Sequence, residues 1–239
     1  LTMVICIPSG ITEVEKRAVI ESAEHANARE RYLIHEPMAG ALGIGLDVEL
    51  PEGNMIIDIG GGTTDVAVIA LSGIVTDQSI RVAGDDFTMD IVEYVKRQHN
   101  ILIGERTAEQ VKIHVGSALQ DLENPPEDFA VHGRDLLTGI PKQVTVAYSE
   151  IAGCLDKSIS KIEEAIMKAL ESTPPELASD IYRKGIYLTG GGALLRGLDK
   201  RIAMKTKLPV KVADDPLRAV VRGTGIALKN RHRYTFLMS

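Results

Sequence analysis

Hydrophobic and polar positions change period several times along the chain, and each change marks an element. Residues 3–8, MVICIP, form an apolar run closed by Pro8, Ser9 and Gly10, which reads as a buried strand. Thr12 and Glu15 then make a T-x-x-E capping box opening a helix to about Ala28. Its Val14, Ala18, Ser22 and Ala26 form a small-residue stripe, expected to pack on the helix's own sheet. RYLIHEPMAGALGIGL reads as a strand and a second helix with Pro37 in its first turn. MIIDIG, TTDVAVIAL and IVTDQSIRV, separated by glycines and by Ser72-Gly73, predict a three-stranded antiparallel meander.

The period then lengthens. Thr88 is expected to open a helix carrying Ile91, Val92 and Val95, and Thr107 with Gln110 to cap another carrying Val111, Val115 and Leu119. Residues 122–141 read as a loop-rich segment with two short strands. Ser149 is expected to cap a long helix whose Ile151, Leu155, Ile159, Ile162 and Ile166 share one face, stopped by Pro174-Pro175. A strand IYLT, a glycine turn, a helix ALLRGLDKRIAMKTK, a strand PVKVA and a helix DPLRAVVRGTGIAL follow, the last with Asp215 and Pro216 as cap and first-turn residue. The tail NRHRYTFLMS is expected to be loose or packed on a partner. An antiparallel meander followed by helices and then strand-helix units is an α/β arrangement that resembles the ribonuclease-H-like fold.

Composition narrows the chemistry. With 239 residues, 44% hydrophobic, 25% charged, only 4% aromatic and a net charge of −6, the chain has the makings of a packed core and lacks the basic, ring-rich surface of a nucleic-acid binder. Cys6 and Cys154 sit in apolar contexts without metal spacing, so buried free thiols and a reducing compartment are expected. No apolar run reaches the roughly twenty residues of a membrane span, and the residues given show no charged-apolar-small leader pattern ahead of the first strand, so a secreted or membrane-spanning chain is not expected. The chain opens on Leu1 inside a strand-like segment, and an absent N-terminal segment is the expectation.

Gly60, Gly61 and Gly62 lie between two strands, which excludes three familiar phosphate loops. The dinucleotide fingerprint opens a helix, the P-loop needs GxxxxGK[ST], and the kinase loop needs its HRD and DFG partners. What remains is a hairpin whose amides, with the hydroxyls of Thr63 and Thr64, can surround terminal phosphates. Asp58 is placed to hold the waters of a magnesium ion. A second glycine cluster, Gly190 to Gly192 in LTGGGALLRG, is a candidate second wall. Glu109 and Lys112, three apart on a helix, either grasp a ribose and base or form an ordinary surface ion pair. Glu36, between a strand and Pro37, either orients a water for γ-phosphate hydrolysis or satisfies a helix dipole.

With DIGGGTTD, LTGGGALLRG and the intervening helices in place, the chain resembles the superfamily of actin, sugar kinases and heat-shock chaperones. The stretches IPSGITEVEKRAV, EPMAGALGIGL, SIRVAGDDF, IGERTAEQVKI and PPELASDIYRKGIYLTGGGALLRGLD, spread from about Cys6 to Leu228, make it similar to the MreB family of bacterial actins. The resemblance implies an actin-like ATPase with ribonuclease-H-like lobes and an incomplete first domain, roughly the first third being absent. Residues 1–52 and 213–239 would belong to domain I, 53–86 and 150–212 to the core of domain II, and 87–149 to its small subdomain. Asp58, Gly60, Gly61, Gly62 and Thr63 would form the second phosphate loop, and Gly190, Gly191, Gly192 and Ala193 would line the adenosine. Glu109 and Lys112 would hold ribose and adenine, Glu36 would orient water, and Thr63 would couple hydrolysis to the phosphates. The ligands implied are ATP and Mg²⁺. The implied partners are the chain itself, in antiparallel protofilament pairs that place the helix from Thr12 to Ala28 near their interface, the cytoplasmic membrane surface and wall-elongation membrane proteins. The implied role is a filament that maintains rod shape. A small-molecule kinase of the same superfamily is the alternative, although no acceptor-side aspartate stands out. A chaperone would need a substrate-binding domain after the ATPase, and a nuclease several carboxylates around two metals.

Overall fold

The structure is a computed structural model describing residues 1–238. The chain begins with β1 (Thr2–Ile7), α1 (Glu13–His25), β2 (Glu30–His35) and α2 (Glu36–Gly43). The meander follows as β3 (Asn54–Ile59), β4 (Thr64–Ala70) and β5 (Gly73–Ile80). Next come α3 (Gly84–His99), β6 (Ile101–Leu102), α4 (Glu105–Val115), β7 (Phe129–Asp135) and β8 (Pro141–Val146). Helices α5 (Tyr148–Glu171) and α6 (Pro175–Lys184), β9 (Ile186–Thr189), α7 (Leu198–Thr206), β10 (Val210–Val212) and α8 (Ala219–Lys229) complete the order.

The central sheet has the order β10-β9-β3-β4-β5, parallel on the β9 side of β3 and antiparallel through the meander. Every residue of β3 and β4 is buried, so both faces of these strands are covered. Met55, Ile57, Ile59, Val66 and Val68 enter one core with α3, α4 and α5. Ile56, Ala67 and Ile69 turn to the other face, against Met38 and Leu42 of α2. That strict alternation is what the two-residue period of a strand dictates. β1 and β2 form a small parallel pair, and β6-β7-β8 a separate antiparallel sheet.

Helix α2 reaches its position through a close crossing with α8. A Cβ on Gly43 would lie 1.8 Å from the Ala219 carbonyl oxygen, and one on Gly223 would lie 1.7 Å from that of Ala39. Each helix offers a glycine where the other's backbone passes, so Glu36 at the start of α2 is placed by backbone contact.

Several expected boundaries move. Helix α1 keeps the Thr12–Glu15 capping box but ends at His25, and Val14, Ala18, Ser22 and Ala26 are exposed instead of covering the sheet. α3 starts at Gly84, four residues before Thr88, because the Asp86 carboxylate reaches back to accept the Ala83 N–H at 2.9 Å. α4 starts at Glu105, so Thr107 lies inside its first turn and Leu119 beyond its end. α5 starts at Tyr148 because Glu150 accepts the Ala147 N–H at 2.8 Å, leaving Ser149 within the helix. Pro175 begins α6, an unforeseen helix. The expected helix from Ala193 breaks into a 3-10 turn (Gly191–Leu194) and α7, because Gly197 takes φ +73° between them. Pro216–Arg218 likewise forms a 3-10 turn before α8. The tail packs on its own chain: Tyr234, Phe236 and Leu237 lie against the core around α2, and Met238 exchanges backbone bonds with Leu33 at 2.7 and 3.0 Å. Cys6 and Cys154 are free thiols, as expected, but only half-buried.

Candidate functional site

The β3–β4 turn is closed by the Gly60 N–H donating to the Thr63 carbonyl at 2.9 Å. None of its three glycines has positive φ. A Cβ on Gly62 would meet nothing within 4 Å, one on Gly61 would touch the Asp85 carboxylate at 3.4 Å, and one on Gly60 would touch only Thr63 O at 3.4 Å. Neither backbone conformation nor packing within the protein therefore demands glycine here, and the space beside the turn is what the sequence keeps clear. The first amides of α3 hold the turn: Gly84 N–H donates to Gly60 O at 3.1 Å and Asp85 N–H to Gly61 O at 2.8 Å. The amides of Gly61 and Gly62 have no backbone partner among the described residues and are left to meet an anion. Two expectations change. The Gly60 amide is spent on closing the turn, and Thr64 is buried with its hydroxyl donated to Val82 O at 2.7 Å, so neither donor is free for a ligand. Thr63 stays half-buried at the turn.

The second glycine cluster abuts the first. Gly190 takes φ +82°, and a Cβ there would lie 2.3 Å from Ile59 O; a Cβ on Gly192 would lie 2.2 Å from the Ile59 side chain. These two glycines let the turn after β9 close onto the end of β3. Gly60, Gly61, Gly191 and Gly192 then line a cleft of about 460 Å³, with Glu109 and Lys112 opposite. Gly190 and Ala193 lie behind it, Ala193 being buried in the core. Sequence reasoning missed the apolar walls: Ile113, Leu194 and Leu217 line the same cleft and are each more than half exposed, an arrangement suited to a flat, weakly polar group. The available signal was an apolar residue beside each predicted polar or glycine position, Ile113 after Lys112 and Leu194 after the glycines. Lys112 and Glu109 pair at 2.6 Å with the lysine side chain only 16% exposed, which is not the environment of an ordinary surface pair.

Three carboxylates gather behind the phosphate-sized turn. Strand pairing puts Asp58 directly opposite Asp65, and both are buried. Asp58 accepts from Thr189 Oγ1 at 2.7 Å, and Asp65 Oδ1 accepts the Ser9 N–H at 2.8 Å, whereas Asp65 Oδ2 is buried with no partner. Burial pushes the Asp58 carboxyl up, against the Thr189 bond, and Asp65 adds to the rise. Glu36 is raised to about 7, chiefly by burial and then by Asp58 and Asp65. Like charges opposed across a buried strand pair are destabilising, and a hard cation relieves them. The all-oxygen set and the orphaned Asp65 oxygen fit Mg²⁺ held through water, with one or two carboxylates contributing. Among the described residues no three His, Cys, Asp or Glu side chains are grouped to ligate a metal directly. Asp65 was absent from the sequence reading, although a hairpin closed between Gly60 and Thr63 pairs it with Asp58.

Comparison with known proteins adds an independent finding. The MreB/Mbl protein family model matches residues 1–235. The cell shape-determining protein Mbl of Bacillus subtilis is 46% identical over 228 residues, covering 95% of this chain and 68% of the relative. The cell shape-determining protein MreB of Escherichia coli K12 is 50% identical over 227 residues, covering 95% of this chain and 65% of the relative. Among solved structures, MreB5 of Spiroplasma citri bound to AMPPNP superposes with TM-score 0.92 at 42% identity, over 97% of this chain and 69% of that one. The MamK double helical filament, at 22% identity and TM-score 0.78 over 96% of this chain and 68% of that one, shares the actin-like fold.

Proposed function

The chain belongs to the MreB/Mbl protein family, and from that premise we propose that it is an ATP-dependent, filament-forming bacterial actin homologue that scaffolds cell-wall elongation and maintains rod shape. The observation that carries this reading is the convergence of two glycine turns on one cleft beside the buried carboxylates of Asp58 and Asp65 and the half-buried one of Glu36. The Gly61 and Gly62 amides receive the terminal phosphates. Asp58 and Asp65 would hold the waters of Mg²⁺, which when bound would neutralise phosphate charge. Glu36 orients the attacking water, and Thr63 couples that step to the phosphate turn. Glu109 and the apolar walls take the nucleoside. The MreB5 relative has been solved with AMPPNP and with ADP, which supports a nucleotide as ligand.

The lobes of this proposal are 1–52 with 213–239, and 53–86 with 150–212, the insert 87–149 forming a small subdomain on the second. Assembly is with itself, in antiparallel pairs, on the inner face of the cytoplasmic membrane beside wall-elongation membrane proteins. Peripheral association with that membrane is the mode proposed; no helix among the described residues is long and apolar enough to cross a membrane. Sedimentation with and without Mg-ATP, with the pellet imaged by electron microscopy, tests the reading. Nucleotide-dependent paired filaments are expected. A protein that binds ATP and never sediments would transfer the assignment to a small-molecule kinase.

A further inference from the structure

Thr88 is buried on α3 and has no role in the function described so far. Its Oγ1 lies 2.7 Å from Glu109 Oε2 and 3.1 Å from Gly84 O; its one proton goes to the nearer, charged acceptor, and it accepts from Lys112 Nζ at 3.0 Å. Lys112 has three ammonium protons, and three protein acceptors lie on one side of it: Glu109 Oε2 at 2.6 Å, Gly84 O at 2.8 Å and Thr88 Oγ1 at 3.0 Å. Glu109 Oε2 is held twice, while Glu109 Oε1 has no hydrogen-bond partner among the described residues on a side chain that lines the cleft. Burial raises the Glu109 carboxyl, but the Lys112 and Thr88 bonds outweigh it and pull the group below its ordinary value, so it stays ionised and accepts only. The same network is tied through Gly84 to the Gly60 carbonyl of the phosphate turn.

We propose that Thr88 is a positioning residue: by anchoring one oxygen of Glu109 it aims the other at the sugar hydroxyls of a bound nucleotide, and so makes the cleft prefer ribose over sugars lacking those hydroxyls. This rests on the nucleotide reading of the cleft. Lys112 completes the anchor by donating to the same Glu109 oxygen.

The test measures affinity by calorimetry for ATP and for 2′,3′-dideoxy-ATP in the wild-type protein, Thr88→Val and Thr88→Ser, with thermal melting alongside. The wild type is expected to prefer ATP by about tenfold, the worth of a hydrogen bond to a charged group. Thr88→Val should lose most of that preference by weakening ATP alone, and Thr88→Ser should restore it. Glu109→Ala, which removes the acceptor itself, should abolish the preference whether or not Thr88→Val folds. Equal weakening of both nucleotides in Thr88→Val, or a preference that survives Glu109→Ala, overturns the proposal while leaving nucleotide binding intact. A wild-type protein that binds neither nucleotide overturns the nucleotide reading and this inference with it.

Discussion

At Gly62 a methyl group would enter open space, whereas at Gly190 it would meet the Ile59 carbonyl on a backbone already at φ +82°. Alanine at the two positions therefore separates ligand from fold. Gly62→Ala should leave stability within about 0.5 kcal/mol of wild type while weakening ATP by roughly tenfold or more. Gly190→Ala should cost about 1–3 kcal/mol with or without nucleotide. Calorimetry and thermal melts read both, and an unchanged ATP affinity in Gly62→Ala would remove the phosphates from this turn. Glu36 gives a second prediction. Its native carboxyl titrates near 7 against an ordinary value of 4.5, so between those values the folded protein binds more protons than the unfolded chain. Its contribution to stability therefore falls as pH rises through that window and is least favourable above it. In nucleotide-free, metal-free protein, Glu36→Gln should raise Tm relative to wild type at pH 8 and confer no such gain at pH 4. The same variant should bind ATP and release phosphate slowly; normal turnover would return Glu36 to a helix-terminal role. These residues were legible because glycine runs and isolated acids are conspicuous. Asp65 and Thr88 were not, since their meaning depends on partners across a strand pair and a helix pair.

The elements show where sequence signals fail. Thr88, Thr107 and Ser149 were natural caps to a reader seeking a hydroxyl before an apolar period. In α3 and α5 the operative signal is the acid three residues on, Asp86 or Glu150, bonding back to an alanine amide. Pro174-Pro175 was legible as a stop, and the same ring, tolerated in a first turn, also starts α6. Where both halves of the box are present the reading held: Thr12 accepts the Glu15 N–H at 3.2 Å and Glu15 accepts the Thr12 N–H at 2.9 Å. Thr12→Ala should destabilise the protein by about 1 kcal/mol, measured by denaturant unfolding. Gly223→Ala should cost about 1–3 kcal/mol or more, as overpacking does, because its methyl would sit 1.7 Å from Ala39 O. It should also slow phosphate release, since the helix it displaces carries Glu36.

Across the whole molecule, the meander and the later strand-helix units were readable, while the packing of the tail on β2 was not. The tail's bond to Leu33 joins residues 205 positions apart in sequence, and no local pattern announces it. The exposed stripe on α1 belongs to this scale too. Val14 is 77% exposed with no covering element, so Val14→Glu should leave ATP binding and sedimentation unchanged while converting paired filaments to single ones in electron micrographs. Pairing that survives the charge would place the lateral contact elsewhere. The crossing of α2 and α8 has a consequence for the history of the sequence. Most contacts between helices can drift, a larger residue on one side being offset by a smaller one on the other. Gly43 and Gly223 face backbone instead of one another's side chains, so there is nothing smaller to exchange. The two positions can only stay fixed, and a search for correlated substitutions would pass over one of the molecule's closest contacts in silence.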